Sequence, residues 1–121
     1  MPEALRFELT RKEIPVVLTS PEGQEKEKYV LRELTGKGRD LYLTRMSGKM
    51  KYKDDGEPIG ITDYSGLQAY LVHLHLYDQE GVQVSFDEVQ SYPSSVVSQL
   101  FEAAQALSNI TGADEEELGN D

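Results

Sequence analysis

The chain has 121 residues, a net charge of −10 and no cysteine, with 38% apolar and 28% charged residues. That is enough chain for one modest core, and it excludes disulfides and thiolate metal sites. No apolar run approaches the roughly 20 residues of a membrane helix, and an acidic chain lacks the net basic face that counterion release on nucleic acid requires.

The N-terminus, "MPEALRFELTRKEIP", mixes charges of both signs and has no apolar core region, so it does not read as a signal peptide. The expected compartment is therefore the cytoplasm, and the sequon at Asn109-Ile110-Thr111 carries no weight there. Within the opening residues, "LRFEL" (5 to 9) alternates apolar and polar, with Leu5, Phe7 and Leu9 on one side, the pattern of a half-buried strand. "IPVVLTS" predicts a second strand, held to an edge or started late by Pro15, which cannot donate to a ladder. Pro21 and Gly23 break the chain in "SPEGQE", and "KYVLREL" alternates again. The first third thus reads as a small antiparallel sheet.

The pattern then turns helical. Thr35 or Gly36 can open a helix through "GKGRDLYLTRMSGKM", with Leu43, Met46 and Met50 at helical spacing. Gly36 and Gly38 lack the rest of a phosphate-loop motif and read as turn chemistry. Residues 51 to 62, "KYKDDGEPIGIT", read as loop; the carboxylates of Asp54, Asp55 and Glu57 lack the alternate spacing of a calcium loop. Thr62 or Asp63 can cap a further helix over residues 63 to 77, in which Leu67, Leu71 and Leu74 share a face. "VHLHLY" within it also alternates, so a hairpin with "VQVSF" across Gln79-Glu80-Gly81 is the alternative. Ser85 and Glu88 have the spacing of a capping box. From Pro93 on, Val96, Val97, Leu100, Ala103, Ala104, Leu107 and Ile110 form a broad apolar stripe bordered by Phe101, and Gly112 stops the helix. The tail after it, residues 113 to 121, is part of a stretch from Thr111 with five acids and no base, and is expected to be disordered.

The reading is therefore α+β: a small N-terminal antiparallel β-sheet, then a compact bundle of three to four helices in one domain (1 to 112), and a disordered acidic C-terminal tail.

The chemistry is sparse. His73 and His75 would share a face in a strand and could hold a metal there, but in a helix they point about 200° apart. There is no nucleophile elbow and no cysteine nucleophile. No catalytic residue, cofactor or metal ligand is assigned, and an enzyme is not expected. What the chain offers is a binding module. Its partner-facing candidates are Leu43, Met46 and Met50 on the first helix, where methionine suits an adaptable surface, and Val97, Leu100, Phe101, Ala104 and Leu107 on the last.

The order of three stretches also carries a resemblance. "YVLRELTGKGRDLYLTRM", "DYSGLQAYLVHLHLYDQEGVQV" and "YPSSVVSQLFEAAQALSNITG" together resemble the tail assembly chaperones of long-tailed bacteriophages and prophages, over about residues 29 to 112. The resemblance implies a cytoplasmic, non-enzymatic protein of the bacterial host. It would bind the long, largely helical tape measure protein and keep it soluble while tail tube protein polymerises around it. Self-association is a further expectation: residues 26 to 53 hold nine bases and three acids, and could attract the acidic tail of another copy. The alternative within the same setting is a structural tail-completion or tube-associated subunit that stays in the virion.

Overall fold

The computed structural model describes residues 3–61 and 66–110. Two strands come first, β1 (Glu13–Thr19) and β2 (Glu25–Arg32), joined through Ser20–Gln24. Gly23 turns the chain there at φ 83°, donating its N–H to the Ser20 carbonyl at 2.9 Å. Helix α1 (Gly36–Gly48) follows, its open N–H groups capped by the Thr35 hydroxyl, which accepts from Gly38. Then come β3 (Met50–Tyr52), β4 (Pro58–Ile61), α2 (Leu67–His75), β5 (Leu76–Asp78), α3 (Phe86–Gln90) and α4 (Ser94–Leu107). The class is α+β, an N-terminal antiparallel sheet followed by four helices.

Three sequence expectations are corrected. Residues 5 to 9 form no strand. The main sheet has the order β1-β2-β5, so the second edge of β2 is taken by β5, with Leu31 opposite Leu76 and both fully buried. The alternation of "LRFEL" is genuine, but a strand needs a neighbour, and both flanks of β2 are already paired. Residues 51 to 62 are not all loop. Lys53 and Glu57 close a turn (N···O 2.8 Å) around Gly56 at φ 90°, pairing β3 with β4 antiparallel. And α1 stops at Gly48, so Met50 starts a strand rather than extending the helix.

The helix-or-hairpin question over residues 71 to 86 resolves into both in succession. The helix ends at His75, and the next residue is already extended. Asp78 then accepts N–H groups from Glu80 and Val82 on its Oδ1, Gly81 turns at φ 84°, and Val84 N–H returns to the Leu76 carbonyl. Ser85 caps α3: its hydroxyl accepts from Glu88 N–H at 3.1 Å, while the Glu88 carboxylate accepts from the Tyr92 hydroxyl instead of closing the box. The acidic tail and the Thr62/Asp63 cap lie outside the described residues.

The core forms on both sides of α2, a helix apolar nearly all round. Ala69 and Val72, with Leu76 beyond, face Leu31 of the sheet and Val97, Leu100 and Leu107 of α4. Leu67, Leu71 and Leu74 face Tyr42 and Met46 of α1, together with Ala104 and Ile110. A polar latch crosses this apolar interior. His75 is wholly buried. Its Nδ1 lies 2.8 Å from the Leu71 carbonyl, which can only accept, so Nδ1 carries the proton. Nε2 then accepts from the Ser108 hydroxyl at 2.7 Å, and that oxygen accepts the Leu34 N–H at 2.9 Å. Arg39 adds a bond to the Ser108 carbonyl. One serine thereby fastens the ends of β2, α2 and α4 together.

Candidate functional site

Among the described residues a concavity lies where α1, α2 and α4 fail to close completely. It encloses about 710 Å³. Tyr42 and Met46 come from α1, Leu67, Gln68 and Ala69 from the start of α2, and Val97, Phe101 and Gln105 from α4, with Gln90, Tyr92 and Ser94 from the α3–α4 turn. The floor is apolar and the rim is neutral and polar: Gln68, Gln90, Ser94 and Gln105 are uncharged donors and acceptors. Tyr92 stays neutral as well. Burial, then its 2.7 Å hydrogen bond to the Glu88 carboxylate, pushes its hydroxyl well above the usual phenol range.

One end is set by Gly66, in the left-handed region at φ 75°. A Cβ there would meet Phe86 Cζ at 3.2 Å, so any other residue is strained by the positive φ and needs the Phe86 ring to give by a few tenths of an ångström. The Arg45 guanidinium is held between two rings, 4.6 Å from the Tyr70 centroid and 5.1 Å from Phe86, which themselves meet edge to face. Its Nε is buried with no hydrogen-bond partner among the described residues. The groove thus offers apolar volume and amide hydrogen bonds, with the Arg45 cation behind Gly66 and outside the lining. It is shaped to take bulky apolar side chains from an amphipathic segment.

Of the eight partner-facing residues expected from sequence, Met46, Val97 and Phe101 line this groove. Met46 and Val97 contribute only their edges, since both are buried; Phe101 is half-buried and packs against both core clusters. Leu100, Ala104 and Leu107 are enclosed in the core, Met50 is buried at the start of β3, and Leu43 is a half-buried residue outside the groove. The sequence reading missed Tyr42, Gly66, Gln68, Gln90, Tyr92 and Gln105. The glutamines carry no periodic signal, because they meet across three elements.

The histidines do not converge. His75 is in the latch, while His73 bonds the Val84 carbonyl and is met by Gln83, which donates to the His73 carbonyl at 3.0 Å. Among the described residues no three His, Cys, Asp or Glu side chains cluster as a metal set.

No protein-family model and no curated protein matches the sequence. A solved structure does: the bacteriophage HK97 tail assembly chaperone, at 23% identity, over 80% of this chain and 85% of that chain, with a TM-score of 0.50. At that identity the likeness is one of architecture: the chain has the fold of the HK97 tail assembly chaperone.

Proposed function

We propose that this chain is a phage tail assembly chaperone, a non-enzymatic cytoplasmic binding protein that holds the tape measure protein soluble until tail tube protein encloses it. The observation that carries the reading is an open apolar groove with an uncharged rim, set in a fold shared with a tail assembly chaperone. A long helical protein awaiting its tube exposes apolar stripes. A groove of about 710 Å³ accepts a few large side chains of such a stripe, not a whole helix. The contact is then modest in strength, as displacement by the tube subunit requires. The neutral rim tolerates varied flanking residues, which suits a repetitive partner.

Co-expression with the tape measure protein of the same phage or prophage, followed by pull-down from the soluble fraction, tests this. The expected result is that the partner becomes soluble and co-purifies. A Phe101→Ala/Gln105→Glu variant should weaken capture at least about tenfold, by removing one groove wall and placing a charge beside it. A partner that is equally soluble alone, or capture that this variant leaves unchanged, refutes the reading. Recovery of the chain in finished tails would favour a structural subunit instead.

A further inference from the structure

Residues 3–10 belong to no helix or strand, yet they carry three large apolar side chains: Leu5, Phe7 and Leu9 are 84%, 82% and 98% exposed. Among the described residues the arm is tied down at its root. Lys12 pairs with Glu33, accepting its N–H at 2.8 Å, and Arg11 donates to the Glu33 carbonyl at 2.7 Å and lies over the Tyr77 ring. Before that point β2 offers no further neighbour, because the position that Thr10 would bond, Thr35, is already the N-cap of α1. The free edge of β1 is no seat for a strand either. The Lys12–Glu33 bond sets the parity of the pairing, so even-numbered residues of β1 bond inward and odd-numbered ones face the open edge. Pro15 is among the latter, and its missing N–H blunts that edge.

The arm does complement itself. Read antiparallel about Phe7, Leu5 stands opposite Leu9, Arg6 opposite Glu8, Ala4 opposite Thr10, and Phe7 opposite its own copy. Neighbouring registers fail. Centring on Arg6 or on Glu8 sets like charges opposite each other, and a one-residue slip sets charges against leucine and phenylalanine. A parallel pairing in register stacks Arg6 on Arg6 and Glu8 on Glu8. One register alone satisfies both faces. The leucines and phenylalanines of two chains then form one face, and two Arg–Glu pairs form the other.

We propose that two copies of this chain associate through these arms, as an antiparallel two-stranded ribbon centred on Phe7. The interface is isologous and closes at two copies. A two-stranded ribbon is marginal on its own and association adds its own entropic cost, so the dimer is weak, with a dissociation constant on the order of 0.1–1 mM, and is sought at chain concentrations in that range. This inference is independent of the tape measure reading.

Sedimentation equilibrium of the full chain at about 0.15 M salt tests it, a range in which close ion pairs still count. The wild type should be a monomer–dimer system. Arg6→Glu and Glu8→Arg should each weaken the dimer about tenfold or more, since each turns two opposite-charge pairs into like-charge pairs. Mixed together, those two variants should form a heterodimer of wild-type strength, and the double variant Arg6→Glu/Glu8→Arg should recover the homodimer. Phe7→Asp should abolish association without changing the circular dichroism, because the arm is outside the core. A monomeric wild type overturns the proposal. So does a dimer indifferent to Arg6→Glu, which would put the arm or the contact elsewhere, or a mixture of the two charge variants that fails to associate.

Discussion

Ser108→Ala tests whether the latch around His75 holds the fold together. Ser108 and His75 are both buried, and the serine hydroxyl is partner to two other groups, the part-buried Leu34 N–H and the buried His75 Nε2. Removing one oxygen leaves a donor and an acceptor that cannot satisfy each other through the methyl group that remains. Each orphaned group costs roughly 1–3 kcal/mol, and partial relaxation recovers some of it, so a loss of about 2–4 kcal/mol is expected. With a urea slope of about 1–3 kcal/mol per molar for a domain of this size, the unfolding midpoint should fall by roughly 1–2 M. Ser95→Ala, at an exposed position of the same helix, is the control and should stay within about 0.5 kcal/mol. The tautomer is checkable separately: nitrogen shifts should report His75 protonated on Nδ1 and accepting on Nε2. A Ser108→Ala protein within about 0.5 kcal/mol of wild type would refute the reasoning, because the latch would then be incidental to stability.

The same histidine makes stability depend on pH. Burial first, and Arg11 nearby, lower its pKa below the usual 6.5 against a smaller opposing effect of the Leu71 bond. The unfolded chain therefore takes up this proton first. The contribution is complete above about pH 6.5 and is lost as pH falls below it, at up to about 1.4 kcal/mol per unit until the folded-state pKa is reached. His75→Gln should flatten the slope below about pH 6.5 in urea titrations; an unchanged slope would assign it to other groups. Gly66→Ala should cost about 1–2 kcal/mol, through its positive φ and the 3.2 Å approach to Phe86, and should disturb the groove end; thermal melts would read it. Ser85→Ala removes the cap of α3 and should cost about 1 kcal/mol, whereas Ser85→Asp should retain most of it.

What was legible in the sequence was what local chemistry decides. The alternation of "KYVLREL", the Thr35 start of α1, the Ser85 cap and the stripe of α4 each mark an element that is present. The Asp55-Gly56 pair also carried a hairpin signal, obscured by the carboxylates of Asp54 and Glu57 on either side of it. Where the reading failed, the deciding partner was distant in sequence. "LVHLHLYD" satisfies the helical period and the strand period alike. It switches at His75 because Leu76 is needed opposite Leu31 in the sheet, while His75 is needed against Ser108. No window of the sequence contains those two demands together.

The candidate site was less legible, and for a reason that bears on both the groove and the arm. An apolar stripe says that a face is buried, not what buries it. In α4 the stripe of Val97, Leu100, Ala104 and Leu107 is satisfied inside the chain. The surface left for a partner is then the margin of that stripe, Phe101 and Gln105, where α2 and the α3–α4 turn do not quite meet it. At "LRFEL" the opposite happens. The alternation is as regular as in any strand of the chain, and the fold leaves it without a neighbour. Patterning this regular at exposures above 80% sits beside a sheet in which both flanks of β2 are paired and Pro15 blunts the free edge of β1. Its charges complement one another only across a dyad at Phe7. The feature that misleads about the fold of one chain is thus the feature that specifies the contact between two.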